Sequence, residues 1–297
     1  MERTFITAMI VFANLISISV ANEIEINKTL MLYTYRIEGP RGKEGEKALG
    51  TCFVMGIPKS DTPGKGQIVL ITATHVLNDI SGEKATIYIR KKISEGKYEK
   101  IRHDIQIRDG NNPLWVSHPK VDVAAIKVSL PSFVSALSGE MPLLSTELLA
   151  NDEIIKKFEI HPGDELLCLG YPLGAEANPA GFPILRSGRI ASYPLTPAED
   201  INSFLFDFEV FEGNSGGPVY FVDNGRSYGG SIHLSERIQF IAGIVSEQRI
   251  VFQQSIAVEK SRDKTSVRTD IERKDLKIAV IVPAHFIKET LNLLTTK

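Results

Sequence analysis

The stretch Gly213-Asn214-Ser215-Gly216-Gly217-Pro218, which leads into the apolar Val219-Tyr220-Phe221, decides how the rest of this chain is read. A serine hydroxyl is a poor nucleophile until a base takes its proton, and the tetrahedral oxyanion formed by its attack needs fixed donors about 3 Å away. Flanking glycines meet both needs. They allow a tight turn that exposes the Ser215 hydroxyl, and they let the Gly213 and Ser215 amides aim at one point. By itself the hexapeptide also fits a glycine-rich β-turn between strands, so the partners of such a serine must be sought elsewhere.

Six histidines are available as the base. His75 stands in Ile71-Thr72-Ala73-Thr74-His75-Val76-Leu77, at the end of an apolar run, where the chain is expected to leave a sheet with rigid structure behind it. His103, His118 and His233 lie in polar contexts, His161 precedes a proline in a linker-like stretch, and His285 opens the final helical pattern. The third partner is a carboxylate that orients the imidazole and stabilises its protonated form. Asp122 suits this role, because Val121-Asp122-Val123-Ala124-Ala125-Ile126 puts one charge at the start of an apolar strand, where a buried carboxylate calls for a donor. The alternative is an Asp122 at a strand edge in water.

Taken together, the order His75, Asp122, Ser215 resembles the trypsin-like serine peptidases and differs from the subtilisin and α/β-hydrolase orders. The pattern is most similar to the protease domain of the high-temperature-requirement (HtrA) type. Further supports are Gly163-Asp164 leading to Leu169-Gly170-Tyr171-Pro172, then Arg186-Ser187-Gly188-Arg189-Ile190, Phe206-Asp207 and Val282-Pro283. The resemblance implies an all-β, chymotrypsin-like double β-barrel with a C-terminal helix and the triad in the cleft between barrels. It implies a polypeptide substrate and no organic cofactor. No recurring His/Cys/Glu spacing suggests a metal.

Three departures bear on function. Asn214 occupies the position where digestive relatives carry an aspartate that pairs with a new amino terminus, and no Ile-Val-Gly-Gly start follows the leader, so activation by propeptide cleavage is not expected. The chain ends within the closing helix, so the PDZ modules usual in HtrA proteases are not expected. Glu209, six residues before Ser215, matches the position of the acid at the base of the trypsin specificity pocket and would favour a basic substrate residue if it enters that pocket. It is equally compatible with a solvent-facing position on an alternating strand. Ser246-Glu247-Gln248 resembles the segment that pairs with substrate backbone, and the bulk of Gln248 is expected to narrow the pocket mouth.

Farther out, short β-branched and aliphatic runs from MLYTYRI (31–37) to LKIAVIV (276–282), punctuated by Gly and Pro, predict about eleven strands. Helical periodicity is clear only at the end, where Ala284, Ile287, Leu291 and Leu294 share one face. Residues 130–161 read as the junction between two β-rich halves of one protease domain, 22–297, and residues 253–274 as an irregular surface loop. The uncharged run Phe5–Ala21, ending in small residues, reads as a cleaved signal peptide (1–21), which implies an exported, periplasmic or secreted protein without stable membrane association. In that setting Cys52 and Cys168 would be free to pair, although each lies in an apolar run that also suits an unpaired buried thiol. With 34 Lys+Arg against 36 Asp+Glu there is no basic field for nucleic acid. The expected activity is an exported serine endopeptidase. The rival readings are an inactive trypsin-like fold that binds peptides or partners, and a chaperone-like stress protein.

Overall fold

Strands that are apolar on both faces must be covered on both, and this requirement organises the molecule. The computed structural model describes residues 25–42, 44–58, 66–134, 143–234, 236–260 and 265–296. The expected signal segment lies outside the described residues.

The first half is an eight-stranded sheet. Its strands are β1 (Thr34–Pro40), β2 (Lys47–Pro58), β3 (Gly66–Thr72), β4 (Lys84–Ser94), β5 (Lys97–Gln106), β6 (Val116–Ser117), β7 (Ala124–Lys127) and β8 (Leu144–Ser145). They run in the order β5-β4-β1-β2-β3-β7-β6, with β8 beside β2. The second half is a closed six-stranded barrel of β9 (Glu165–Gly170), β10 (Ile184–Ile190), β11 (Phe204–Asp207), β12 (Pro218–Asp223), β13 (Ile238–Lys260) and β14 (Thr265–Pro283). Around the barrel the order is β9-β10-β11-β14-β13-β12. The all-β class and trypsin-like architecture are as expected. The first sheet, however, is open along its hydrogen bonds, running from β5 at one edge to the two-residue β6 at the other.

Period-two alternation sends side chains to separate cores. Cys52, Val54 and Leu70 join the core enclosed by the first sheet, and Cys168, Phe206, Val219 and Phe221 fill the barrel. Phe53, Met55, Val69, Ile71 and Tyr220 point the other way, into a third cluster between the halves. Two helices roof this third cluster: α1 (Ile26–Tyr33) at the amino end and the closing helix α5 (Ala284–Thr296). The four apolar residues that predict α5 are all at most 3% exposed. Cys52 and Cys168 are free and buried in different cores, and burial pushes the Cys168 thiol up to about 12.

Several local expectations are corrected. The run 31–37 begins inside α1, whose amino end is capped by the Glu25 side chain accepting from Lys28 N at 3.0 Å. β5 pairs with β4 around Glu95-Gly96, but as a charged edge strand it carries no apolar run to signal it. The junction contains a short helix, α3 (Asp152–Lys157), capped by the Asn151 side chain accepting from Ile154 N at 3.0 Å. Residues 253–260 and 265–274 are not an irregular loop. They extend β13 and β14 as a two-stranded ribbon, paired from Ile250↔Asp275 to Lys260↔Thr265.

Candidate active site

Directly after β3 the chain turns into α2 (Thr74–Asp79), which carries His75 in its first turn. The histidine therefore sits on a short helix rather than at a strand end, and the buried Val76 and Leu77 press that helix onto the first sheet. Asp122 lies two residues before β7, in a loop closed by His118 N–H donating to the Val123 carbonyl at 2.9 Å. Both of its carboxylate oxygens are engaged. Oδ1 accepts from His75 N at 3.0 Å, and Oδ2 lies 2.7 Å from His75 Nδ1 and accepts from Ser246 Oγ at 2.7 Å.

These contacts set the electrostatics. Burial alone would lift the Asp122 carboxyl, but the bonds from His75 and Ser246 and the imidazole charge outweigh it and hold the group below its ordinary value. Burial alone would likewise lower His75. The Asp122 bond and charge, helped by Asp79 and Glu247, outweigh it and raise the imidazole. An ionised Asp122 accepts, so Nδ1 carries the proton and Nε2 keeps its lone pair.

Ser215 shares the cleft with His75. Its hydroxyl donates to the Ser246 carbonyl at 2.9 Å, so that bond has to be released before the hydroxyl can donate to the imidazole. The backbone around it is held from both halves: Thr51 N–H donates to the Ser215 carbonyl at 2.8 Å, and Gly216 N–H to the Val245 carbonyl at 2.7 Å. Thr51, fully buried on β2, also donates its hydroxyl to the Gly213 carbonyl at 2.6 Å and accepts from Tyr171 N at 3.2 Å. Sequence reasoning missed this hub, since a lone threonine in an apolar strand carries no signal.

The Gly213 and Ser215 amides have no hydrogen-bond partner among the described residues. Their direction follows from peptide planarity, because C=O and N–H of a trans peptide point opposite ways. The Glu212 carbonyl is held by Leu173 N at 2.6 Å and the Asn214 carbonyl by Gly217 N at 3.0 Å, so each following N–H is turned away from those contacts. Gly213 has φ +95, and a Cβ there would collide with the Tyr171 carbonyl oxygen. Only glycine fits.

The cleft, about 290 Å³, is lined by His75, Ser215 and Gly213 with Ser246, Glu247 and Gln248 among others. Ser246 and Gln248 thus line the same cleft as His75 and Ser215. Glu209 is not brought in: its carboxylate lies 3.4 Å from Lys277 Nζ, outside the cleft lining. Beyond the end of β11 its neighbours Phe208 and Val210 are the buried ones, which leaves Glu209 turned outward, and Val210, Phe211 and Glu212 occupy the wall instead. Arg41 bridges the cleft mouth, 2.6 Å from Asp79 and 3.1 Å from Glu212, with nothing in its sequence context to announce it.

An imidazole oriented by a carboxylate, a serine lining the same cleft and two free amides are the groups needed to take a proton from an alcohol and receive an oxyanion. Comparison with solved structures finds the protease Anisep from Arthrobacter nicotinovorans, 12% identical, covering 91% of this chain and 98% of that one, with a TM-score of 0.48. The Rv3671c protease from M. tuberculosis in its active form is 17% identical over 90% of this chain and 82% of that one, with a TM-score of 0.42. The thermostable serine protease AL20 from an extremophilic microorganism is 10% identical over 90% and 98%, with a TM-score of 0.46. No curated protein matches the sequence. Residues 50–229, more than half of the chain and including His75, Asp122 and Ser215, match the family described as the trypsin-like peptidase domain, and the chain belongs to that family.

Proposed function

We propose that the protein is an exported serine endopeptidase. The observation that carries this reading is the two-point grip of Asp122 on His75, at 3.0 and 2.7 Å, beside a serine preceded by an unpartnered Gly213 amide. Ser215 rotates toward Nε2, His75 takes its proton, and the oxygen attacks the substrate carbonyl. The Gly213 and Ser215 amides stabilise the oxyanion, and His75 then returns the proton to the leaving amine. Water resolves the acyl-enzyme by the same route. The HtrA-like pattern and Asn214, which is buried and uncharged, support activity without a pairing new amino terminus. The run Phe5–Ala21 supports export, and amino-terminal sequencing of the mature protein should then begin at Asn22.

Ser215→Ala, compared with the parent on unfolded casein, tests the catalytic reading. The parent should cleave, and the variant should lose at least about 10³-fold in turnover. Equal turnover, or none in either protein, overturns it. One observation favours a second reading, a peptide-binding cleft without turnover: the Ser215 hydroxyl is committed to the Ser246 carbonyl. Peptide binding by a parent that never reacts with a fluorophosphonate would favour that reading.

A further inference from the structure

On the side of the molecule carrying α5, four residues from three separate parts of the chain meet. His285 and Glu289 are four apart on α5 and share one helix face. Glu199 lies on the short helix α4 (Ala198–Ile201), and His118 follows β6. His285 Nε2 is 3.3 Å from Glu289 Oε1 and 4.0 Å from Glu199 Oε1. Among the described residues, Glu199, His285 and Glu289 are the one group of three or more His, Cys, Asp or Glu whose ligand atoms lie within 4.8 Å of one another.

Two further observations point to a ligand. His285 Nε2 is buried and has no hydrogen-bond partner despite the two carboxylates beside it, so the nearest oxygen is at the right distance but in the wrong direction for a hydrogen bond. Glu289 is in turn oriented from behind. His118 Nδ1 accepts from Lys120 N at 3.2 Å, which leaves the proton on Nε2 to be donated to Glu289 Oε2 at 2.9 Å. That leaves Oε1 facing His285. A histidine holding the outer oxygen of a carboxylate is the kind of support that metal-ligating carboxylates receive.

We propose that Glu199, His285 and Glu289 form a site for a divalent transition cation of the zinc class, with His118 positioning Glu289. At Zn–N and Zn–O distances of about 2.0–2.2 Å, tetrahedral ligand atoms lie roughly 3.3–3.6 Å apart. The His285–Glu289 separation already matches. The Glu199 oxygen has to approach His285 Nε2 by about half an ångström, which its 71% exposed side chain allows. Water supplies the fourth ligand through the adjoining open hollow of about 420 Å³, lined by Asn151, Asp152, Glu153, His285, Lys288 and Glu289 among others. Sequence spacing offers only the His285–Glu289 pair on one helix face, and the third ligand, Glu199, comes from a separate element. The bound ion would tie α5 to α4 of the barrel side and, through His118, to the loop that carries Asp122.

The test is titration of the chelator-stripped full chain with ZnCl2 by calorimetry, alongside thermal unfolding. One equivalent should bind with a Kd in the micromolar range or tighter, raising Tm in a way that EDTA reverses. Glu199→Gln and His285→Gln should each weaken binding tenfold or more. His233→Ala, at a histidine outside the cluster, should bind as the parent does. Glu199 is exposed, so its variant probes the site without disturbing the core. No binding, binding that survives both site substitutions, or binding lost in His233→Ala overturns the proposal. These readouts need no turnover, so they stand apart from the peptidase reading.

Discussion

At the scale of single residues, the cleft works by spending one carboxylate on two neighbours. Asp122 holds His75 through backbone and ring and takes a third bond from Ser246. Because Asp122 raises the imidazole, the protonated, inactive form of His75 persists to higher pH than the ordinary value of 6.5. Activity should therefore rise with pH along a limb whose midpoint lies above 6.5, measured as kcat/KM against pH. In Asp122→Asn the largest raising contributions are gone and burial is opposed only by the charges of Asp79 and Glu247, so His75 should titrate lower, and kcat should fall by about 10⁴-fold as the tautomer is lost. An unchanged limb in that variant would show that Asp122 does not control the histidine. Gly213→Ala should cost about 10²–10³-fold in kcat, because the Cβ meets the Tyr171 carbonyl and displaces an oxyanion donor. Wild-type kcat in that variant would remove Gly213 from the proposed mechanism.

At the scale of elements, the site is held by pieces too short to stand alone. α2 has six residues, so its position depends on Val76 and Leu77 rather than on helix propensity. Arg90, 1% exposed on β4, donates to the Leu32, Thr34 and Gly181 carbonyls and to the Tyr171 hydroxyl. It fastens the end of α1 to the segment that carries Leu173, the residue that holds the Glu212 carbonyl. The closing helix contributes by burial. Leu291→Ala should destabilise the fold by about 2–5 kcal/mol, read as a lower urea midpoint with unchanged slope. A loss below about 1 kcal/mol would mean that the roof over the third core is dispensable.

At the scale of the whole molecule, the two halves differ in closure. The barrel pairs edge to edge, whereas the first sheet relies on side-chain burial and on the shared third core. Beyond Gln248↔Ala279 the ribbon of β13 and β14 pairs only with itself among the described strands. A lone two-stranded ribbon is marginal in water. Amides of 250–260 and 265–275 should thus exchange with deuterium at least about 100-fold faster than those of 238–246, where β13 also pairs with β12. Equal protection in both regions would mean that another surface stabilises the ribbon.

The sequence by itself determined the strand-rich class, the closing helix and the serine motif, because each is written locally as a period of two, a period near 3.6, or a glycine-flanked nucleophile. It also supplied His75 and Asp122, since a lone polar residue beside an apolar run stands out. Only the tertiary structure decided that Glu209 faces Lys277, that Thr51 and Leu173 fix the peptides around Ser215, and that Glu199 and His118 meet the His285–Glu289 pair. Those outcomes depend on which way a side chain or peptide plane points once distant strands pair, and on contacts between residues whose separation along the chain carries no periodic signal.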